Sequence, residues 1–324
     1  MFISVLLFAV GLVLLIKGGD WFVDGATGIA KRFNLPDIVV GATVVSIGTT
    51  LPEVMVSTTG ALAGSGAMAY GNAIGSIICN TALIAAISIT CNPGPVNVKS
   101  MKTPAIFFFC SAALYCFASY VLGEFPRWMG FVMLSIFVVY MVMTVRNGMK
   151  NPDASAEEEE EDSKPKALWQ ELLLLVAGAA VIAVGADLLV EHGQIIALEL
   201  GVPETVVALL FVALGTSLPE LVTTITSLKK GRASLGVGNV IGANVFNLVL
   251  VSGVAVSLAP FSVPCENFLL DTGLNMSLVF EIPVMLGVMS LMIFPAMATK
   301  KLGRWQGIAL LAIYAAFCVC QFVL

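Results

Sequence analysis

Charge is scarce in this chain. Charged side chains make up 11% of the 324 residues and apolar ones 58%, whereas soluble domains carry about a quarter charged residues. That excludes a water-soluble globular protein and indicates an integral membrane protein. A single histidine, His192, excludes bis-histidine haem ligation and leaves no imidazole set for zinc. The seven cysteines (79, 91, 110, 116, 265, 318 and 320) show no CxxC spacing and mostly fall in apolar runs, where a free cysteine is expected to act as a small buried side chain. Basic residues are outnumbered, 16 against 21 acids, so no nucleic acid is expected as a partner. No basic residue precedes the apolar run 2–16, which makes it a first span rather than a secretion signal.

Long apolar runs are abundant. Ten reach the length of about 20 residues that crosses a bilayer, near 2–30, 38–64, 69–90, 104–122, 127–145, 168–190, 202–228, 234–260, 275–295 and 304–324. Loops on one side carry Lys31, Arg32, Lys99, Lys102, Arg146 and Lys230 among others, while the opposite side holds Arg127 alone. The bias predicts that both termini face outward and that the loop 146–167 is cytoplasmic. With its run of acids mixed with Pro, Ser and Lys, that loop reads as a solvated linker without EF-hand spacing.

The linker divides the chain into 1–145 and 168–324, five spans each, and the halves repeat. Residues 18–53 align without gaps on 185–220, at an offset of 167 that pairs Asp20 with Asp187, Pro36 with Pro203 and Glu53 with Glu220. The same offset carries GNAIGSIICN (71–80) onto GNVIGANVFN (238–247). An odd number of spans per repeat turns the second copy upside down, and inverted repeats build transporters whose site lies at mid-membrane.

Each half sets one carboxylate in an apolar span: Glu53 in TVVSIGTTLPEVMVS (43–57) and Glu220 in FVALGTSLPELVTT (211–224). Such a group is costly unless it is paired or functional, and Lys17 is the sole intramembrane base available as a partner. Ser46, Thr49, Thr50, Glu53 and Ser57 fall on one helical face. Thr216, Ser217, Glu220 and Thr223 or Thr224 do the same in the copy, with Ala213 where Ser46 stood. Pro52 and Pro219 have no N–H for the carbonyls of Gly48 and Gly215, so spans two and seven are expected to break there. Carboxylate, hydroxyl and freed carbonyl oxygens are the donors a hard cation takes.

After each carboxylate span, Asn72, Ser76 and Asn80, or Asn239, Ala243 and Asn247, line one face at spacing four. The amide oxygens of Asn80 and Asn247 read as further ligands. Gly71 with Gly75, and Gly238 with Gly242, are small-residue packing pairs. Asp20 and Asp187 sit near span ends in structural or interfacial roles, His192 falls in an outer loop, and Glu281 has no aligned counterpart.

GTTLPE and GTSLPE, each followed by GNxxG and an asparagine, resemble the alpha repeats of the sodium/calcium exchanger family, the cation/calcium antiporters. The resemblance covers both halves and is closest to the short prokaryotic type. It implies an all-α membrane protein of ten transmembrane helices in two inverted five-helix repeats, with spans one and six sliding across the rest. By the same resemblance Glu53 and Glu220 are shared Ca2+ and Na+ ligands. Thr49, Thr50, Thr216 and Ser217 add hydroxyl or carbonyl oxygens, Ser46 and Ala213 add backbone carbonyls, and Ser76 with Asn80 completes the sodium positions. Thr50 replaces a usual serine, and Ala243 stands where serine is common. Asn247 stands where several members carry aspartate, which argues against potassium co-transport.

The function expected is secondary active exchange of Ca2+ for Na+ by alternating access, with no cofactor and no enzymatic activity. Its partners are the transported cations and lipid, a monomer suffices, and the location is a prokaryotic cytoplasmic membrane. A proton-coupled or other divalent-cation antiporter and a passive cation channel remain as alternatives, the inverted repeat favouring a carrier over a channel. Neither an aspartate pair nor a Ser–base pair of an intramembrane protease can be assembled from these spans.

Overall fold

The computed structural model describes residues 2–150, 167–200, 215–264 and 275–323. In chain order the helices are α1 (Phe2–Arg32), α2 (Asp37–Thr49), α3 (Leu51–Leu62), α4 (Gly66–Cys91), α5 (Val98–Leu122), α6 (Arg127–Lys150), α7 (Leu168–Glu199), α8 (Leu218–Lys229), α9 (Ala233–Leu258), α10 (Ser277–Thr299) and α11 (Arg304–Val323). Among the described residues eight helices are long and apolar enough to cross a membrane, and α2 with α3 forms a ninth span bent by 46°. Up to residue 214, the expected span 202–228 lies outside the described residues, Ala213 and Pro203 with it.

The bend sits two residues before the expected position, at Thr50 rather than Pro52. Proline is harmless in the first turn of a helix, whose N–H groups have no intrahelical acceptor, so α3 starts around it and the preceding turn breaks instead. Pro219 stands in the first turn of α8 in the same way. α6 continues to Lys150, so the first residues of the expected linker are helical; 151–166 lie outside the described residues.

Elements recur at the sequence offset. α3 and α8 both end in a left-handed glycine, Gly64 and Gly231. Each is closed by the same pair of bonds, Ser65 N to Gly60 O and Gly64 N to Ala61 O in one, Arg232 N to Ser227 O and Gly231 N to Leu228 O in the other. This is the 6→1 and 5→2 pattern that satisfies the last carbonyls of a helix. α4 and α9 each widen into a π-helical stretch that begins at an asparagine, Asn80–Ala85 and Asn247–Val251. Two short antiparallel ladders clip one half to the other. β1 (Gly94–Pro95) pairs with β4 (Lys301–Leu302), and β2 (Glu124–Phe125) pairs with β3 (Phe261–Ser262).

Burial separates core from rim. The most apolar stretches of α4 and α9 are 72% and 83% buried, those of the other single spans 17–39%. α1 and α7 pack antiparallel along a seam of glycines. A β-carbon at Gly11 would lie 2.9 Å from the Gly185 carbonyl, one at Gly18 2.9 Å from the Ile182 nitrogen, and one at Gly25 2.7 Å from the Leu175 nitrogen. The backbones touch, as small-residue spacing allows in a bilayer. Lys230, in the turn between α8 and α9, ties α1 to the core through Asp24 Oδ1 at 2.6 Å and the Asp20 carbonyl at 3.1 Å.

Two expectations need correcting. His192 lies within α7, not in a loop. Of the six cysteines among the described residues, only Cys79 is buried; the rim faces lipid, so an apolar thiol there need not be inside protein. Glu281, without a counterpart at the offset, is held within its own half: Ser277 Oγ donates to one carboxylate oxygen at 2.8 Å and Gln321 Nε2 to the other at 3.2 Å.

Candidate functional site

The centre of the molecule is the crossing of α2 with α9. A β-carbon at Gly238 would strike the Ile38 carbonyl oxygen, and one at Gly242 would stand 2.5 Å from the Ala42 Cα. These glycines do the packing their spacing implies. At Gly71 and Gly75, in contrast, a β-carbon would meet nothing within 4 Å among the described residues.

That close approach lets Asn239 reach into the opposite half. Its side-chain oxygen accepts from Ser46 Oγ and Thr49 Oγ1, each at 3.2 Å, and its Nδ2 donates to Thr223 Oγ1 at 2.9 Å. The Ser46 hydroxyl also lies 3.0 Å from the Asn239 carbonyl and 2.8 Å from that of Gly41. Asn72 is the counterpart in the first half. It donates to Ser57 Oγ at 2.8 Å and the Glu53 carbonyl at 3.2 Å, and accepts from Thr216 Oγ1 at 3.4 Å. The sequence singles out Asn72 and Asn239 only as members of a polar face. Their role as cross-ties needs the three-dimensional crossing, though their place in the twice-repeated GN pair is a signal of it.

Within this frame Glu53 and Glu220, one from each half, are both fully buried. Thr50 Oγ1 donates to Glu220 Oε1 across the halves at 3.5 Å. Glu220 Oε2 and both carboxylate oxygens of Glu53 have no hydrogen-bond partner among the described residues. Lys17, the base considered from sequence, is exposed on α1 and pairs with neither. Asn80, Asn247 and Ser217 are buried as well, and the amide groups of both asparagines and the Ser217 hydroxyl also lack hydrogen-bond partners among the described residues. Ser76 is buried on α4 one turn before Asn80. The Ser46 carbonyl accepts from the Thr50 N–H at 3.0 Å, which leaves it one lone pair.

Buried polar atoms in proteins are almost always hydrogen-bonded, and a buried charge needs a countercharge. Here five unpartnered side-chain oxygens, on Glu53, Asn80, Asn247 and Glu220, come from both halves. Three of them are carboxylate oxygens, and none forms a salt bridge among the described residues. Oxygens of this kind, hard and partly anionic, can coordinate a cation such as Ca2+ or Na+. Nothing among them resembles a nucleophile with its base.

Comparison with known proteins agrees with this chemistry. The family model described as sodium/calcium exchanger protein matches residues 3–146 and 171–323. The sodium/calcium exchanger MaX1 of Methanosarcina acetivorans is 28% identical, with 99% of each chain covered. The putative antiporter CaxA of Alkalimonas amylolytica is 35% identical over 80% of this chain and 82% of its own. Among solved structures, the sodium-calcium exchanger NCX_Mj soaked with 2.5 mM Na+ and 10 mM Sr2+ aligns with a TM-score of 0.80, 32% identity and 98% coverage of both chains. The family consists of transporters, not enzymes, and its short prokaryotic members share this length and fold. The chain belongs to the sodium/calcium exchanger family and is a multi-pass membrane cation/Ca2+ antiporter.

Proposed function

We propose that the chain exchanges Ca2+ for Na+ by alternating access, holding the ions between Glu53 and Glu220 near the middle of the bilayer. Thr49, Thr50, Thr216, Ser217, Ser76, Asn80 and Asn247 supply neutral oxygens around them, and the carbonyls of Ser46 and Ala213 complete the set. The halves 1–145 and 168–324 are inverted copies, both termini lie outside, and the linker 146–167 is cytoplasmic in a prokaryotic inner membrane. The observation that carries the reading is the pair of buried carboxylates, one from each half, with Thr50 of one half bonded to Glu220 of the other. Matched caps and matched π-helical stretches support the repeat, and the antiparallel packing of the corresponding helices α1 and α7 supports the inversion.

Charge then dictates the cycle. Two ionised glutamates balance one Ca2+, and a second divalent ion in so dry a pocket would be strongly repelled. Sodium ions draw on the same oxygens, so Ca2+ and Na+ exclude each other. An uncompensated pair of carboxylates is too unfavourable to carry across, so the carrier switches only when loaded. The α1–α7 pair, packed backbone to backbone, is the unit that moves.

Uptake of labelled Ca2+ into proteoliposomes tests this, with outward gradients of Na+, K+ or H+ or none. Saturable uptake that requires the Na+ gradient is expected. Uptake driven equally by H+ would move the coupling ion to protons, and flux without any counter-ion would make the protein a channel.

A further inference from the structure

Asn244 of α9 reaches across to the first half. Its Nδ2 donates to Thr81 Oγ1 of α4 at 2.7 Å and to Met289 Sδ of α10 at 3.1 Å. The Thr81 hydroxyl donates in turn to the same sulfur at 3.1 Å. All three residues are fully buried, and Asn244 Oδ1 has no partner among the described residues. At the offset of 167, Asn244 falls on Ile77 and Thr81 on Leu248, both fully buried. The corresponding pair of the repeat is therefore wholly apolar. Packing α4 against α9 does not require polar side chains at such places, and an unpaired amide oxygen in a dry core is costly. A polar tie where an apolar pair serves elsewhere points to function. Thr81 directly follows Asn80 at the start of one π-helical stretch, and Asn244 stands three residues before Asn247, where the other begins. The amides of Asn80 and Asn247 have no hydrogen-bond partners among the described residues, so no bond of their own sets where their oxygens stand.

We propose that Asn244 is a positioning residue: through Thr81 it fixes the spacing between Asn80 and Asn247 and so sets the affinity for Na+. The inference rests on reading those two asparagines as cation ligands. At a given distance Ca2+ gains twice the Coulomb energy from a carboxylate that Na+ does. Neutral amide oxygens therefore make up a larger share of what holds Na+. Groups that orient the ligands of an ion tune its binding without touching it. Loosening the Asn244–Thr81 tie displaces the amide oxygens and weakens Na+ binding more than Ca2+ binding.

The test measures Na+-driven Ca2+ uptake in proteoliposomes as internal Na+ and external Ca2+ are varied in turn, with thermal unfolding in detergent alongside. Asn244→Ile is expected to raise the half-saturating Na+ concentration about tenfold, with half-saturating Ca2+ and the maximal rate within about twofold of wild type. Thr81→Val, of nearly the same shape but without the hydroxyl, should match it, while Thr81→Ser keeps the hydroxyl and the wild-type value. Asn244→Ile combined with Thr81→Leu installs the pair that already packs at the corresponding place. That double variant is expected to regain the stability lost by Asn244→Ile but not the Na+ affinity. Recovery of both would make the tie packing alone and overturn the inference. Unchanged half-saturating Na+ in Asn244→Ile overturns it equally. Should the variants at Asn244 not fold, the contrast between Thr81→Val and Thr81→Ser decides, and equal values in those two overturn it. Half-saturating Na+ that stays at wild type in both Asn80→Ala and Asn247→Ala would instead sink the ligand reading on which the inference rests.

Discussion

Glu53→Gln is expected to cut Na+-driven Ca2+ uptake by about a hundredfold or more, and Glu220→Gln to do the same. A unit charge about 4 Å from a cation contributes roughly 4 kcal/mol per charge pair at an effective dielectric of about 20. Each factor of ten in affinity corresponds to about 1.4 kcal/mol, so about 2.8 kcal/mol of that term suffices for a hundredfold loss. The amide keeps one oxygen and nearly the same shape, so packing around the buried side chain is preserved and the loss reports on charge. Because the carboxylates come from different halves, neither compensates for the other. The measurement is initial-rate uptake of labelled Ca2+, with detergent-phase thermal unfolding as a control for folding. Near wild-type uptake in either variant would remove that residue from the site.

Asn239→Leu is expected to lower both stability and transport, by a route that leaves the charges untouched. The substitution preserves volume but deprives Ser46, Thr49 and Thr223 of their shared partner. A buried polar group left unsatisfied costs about 1–3 kcal/mol. Ser46 retains the Gly41 carbonyl and Thr223 the carbonyls of Pro219 and Glu220, so the cost falls mainly on Thr49. Thermal unfolding should therefore show a loss of about 1–3 kcal/mol. Pairing it with Thr49→Val should recover part of the loss, because replacing both partners of a hydrogen bond is milder than orphaning one. Full additivity of the two substitutions would show that the cross-tie carries no coupling.

Much of this architecture is readable before any coordinates. Long apolar runs announce spans one by one, and the constant offset of 167 pairs Glu53 with Glu220 without reference to space. The hydroxyl spacing around each glutamate is local to a single turn or two, which is why the candidate donors can be named from the sequence. What escapes depends on contacts between distant segments or on backbone detail without a residue signature. The break at Thr50 rather than Pro52 reflects which turn yields, a choice between neighbouring hydrogen bonds. The π-helical stretches beginning at Asn80 and Asn247 follow no motif that marks them. Asn239 is indistinguishable from an ordinary interhelical asparagine until Gly238 and Gly242 bring α2 against it. Glu281 looks stranded until Gln321, forty residues on, donates to it. The two-residue ladders pair loops of opposite halves and leave no periodicity behind.

The most direct measurement is the anomalous difference density of crystals grown with Sr2+ and little Na+. One peak within coordination distance of both carboxylates, about 2.3–2.6 Å for a calcium-like ion, is expected, and it should fade as Na+ is raised. Density that touches Glu53 or Glu220 alone, or that persists unchanged in saturating Na+, would contradict a single cage shared by the two halves.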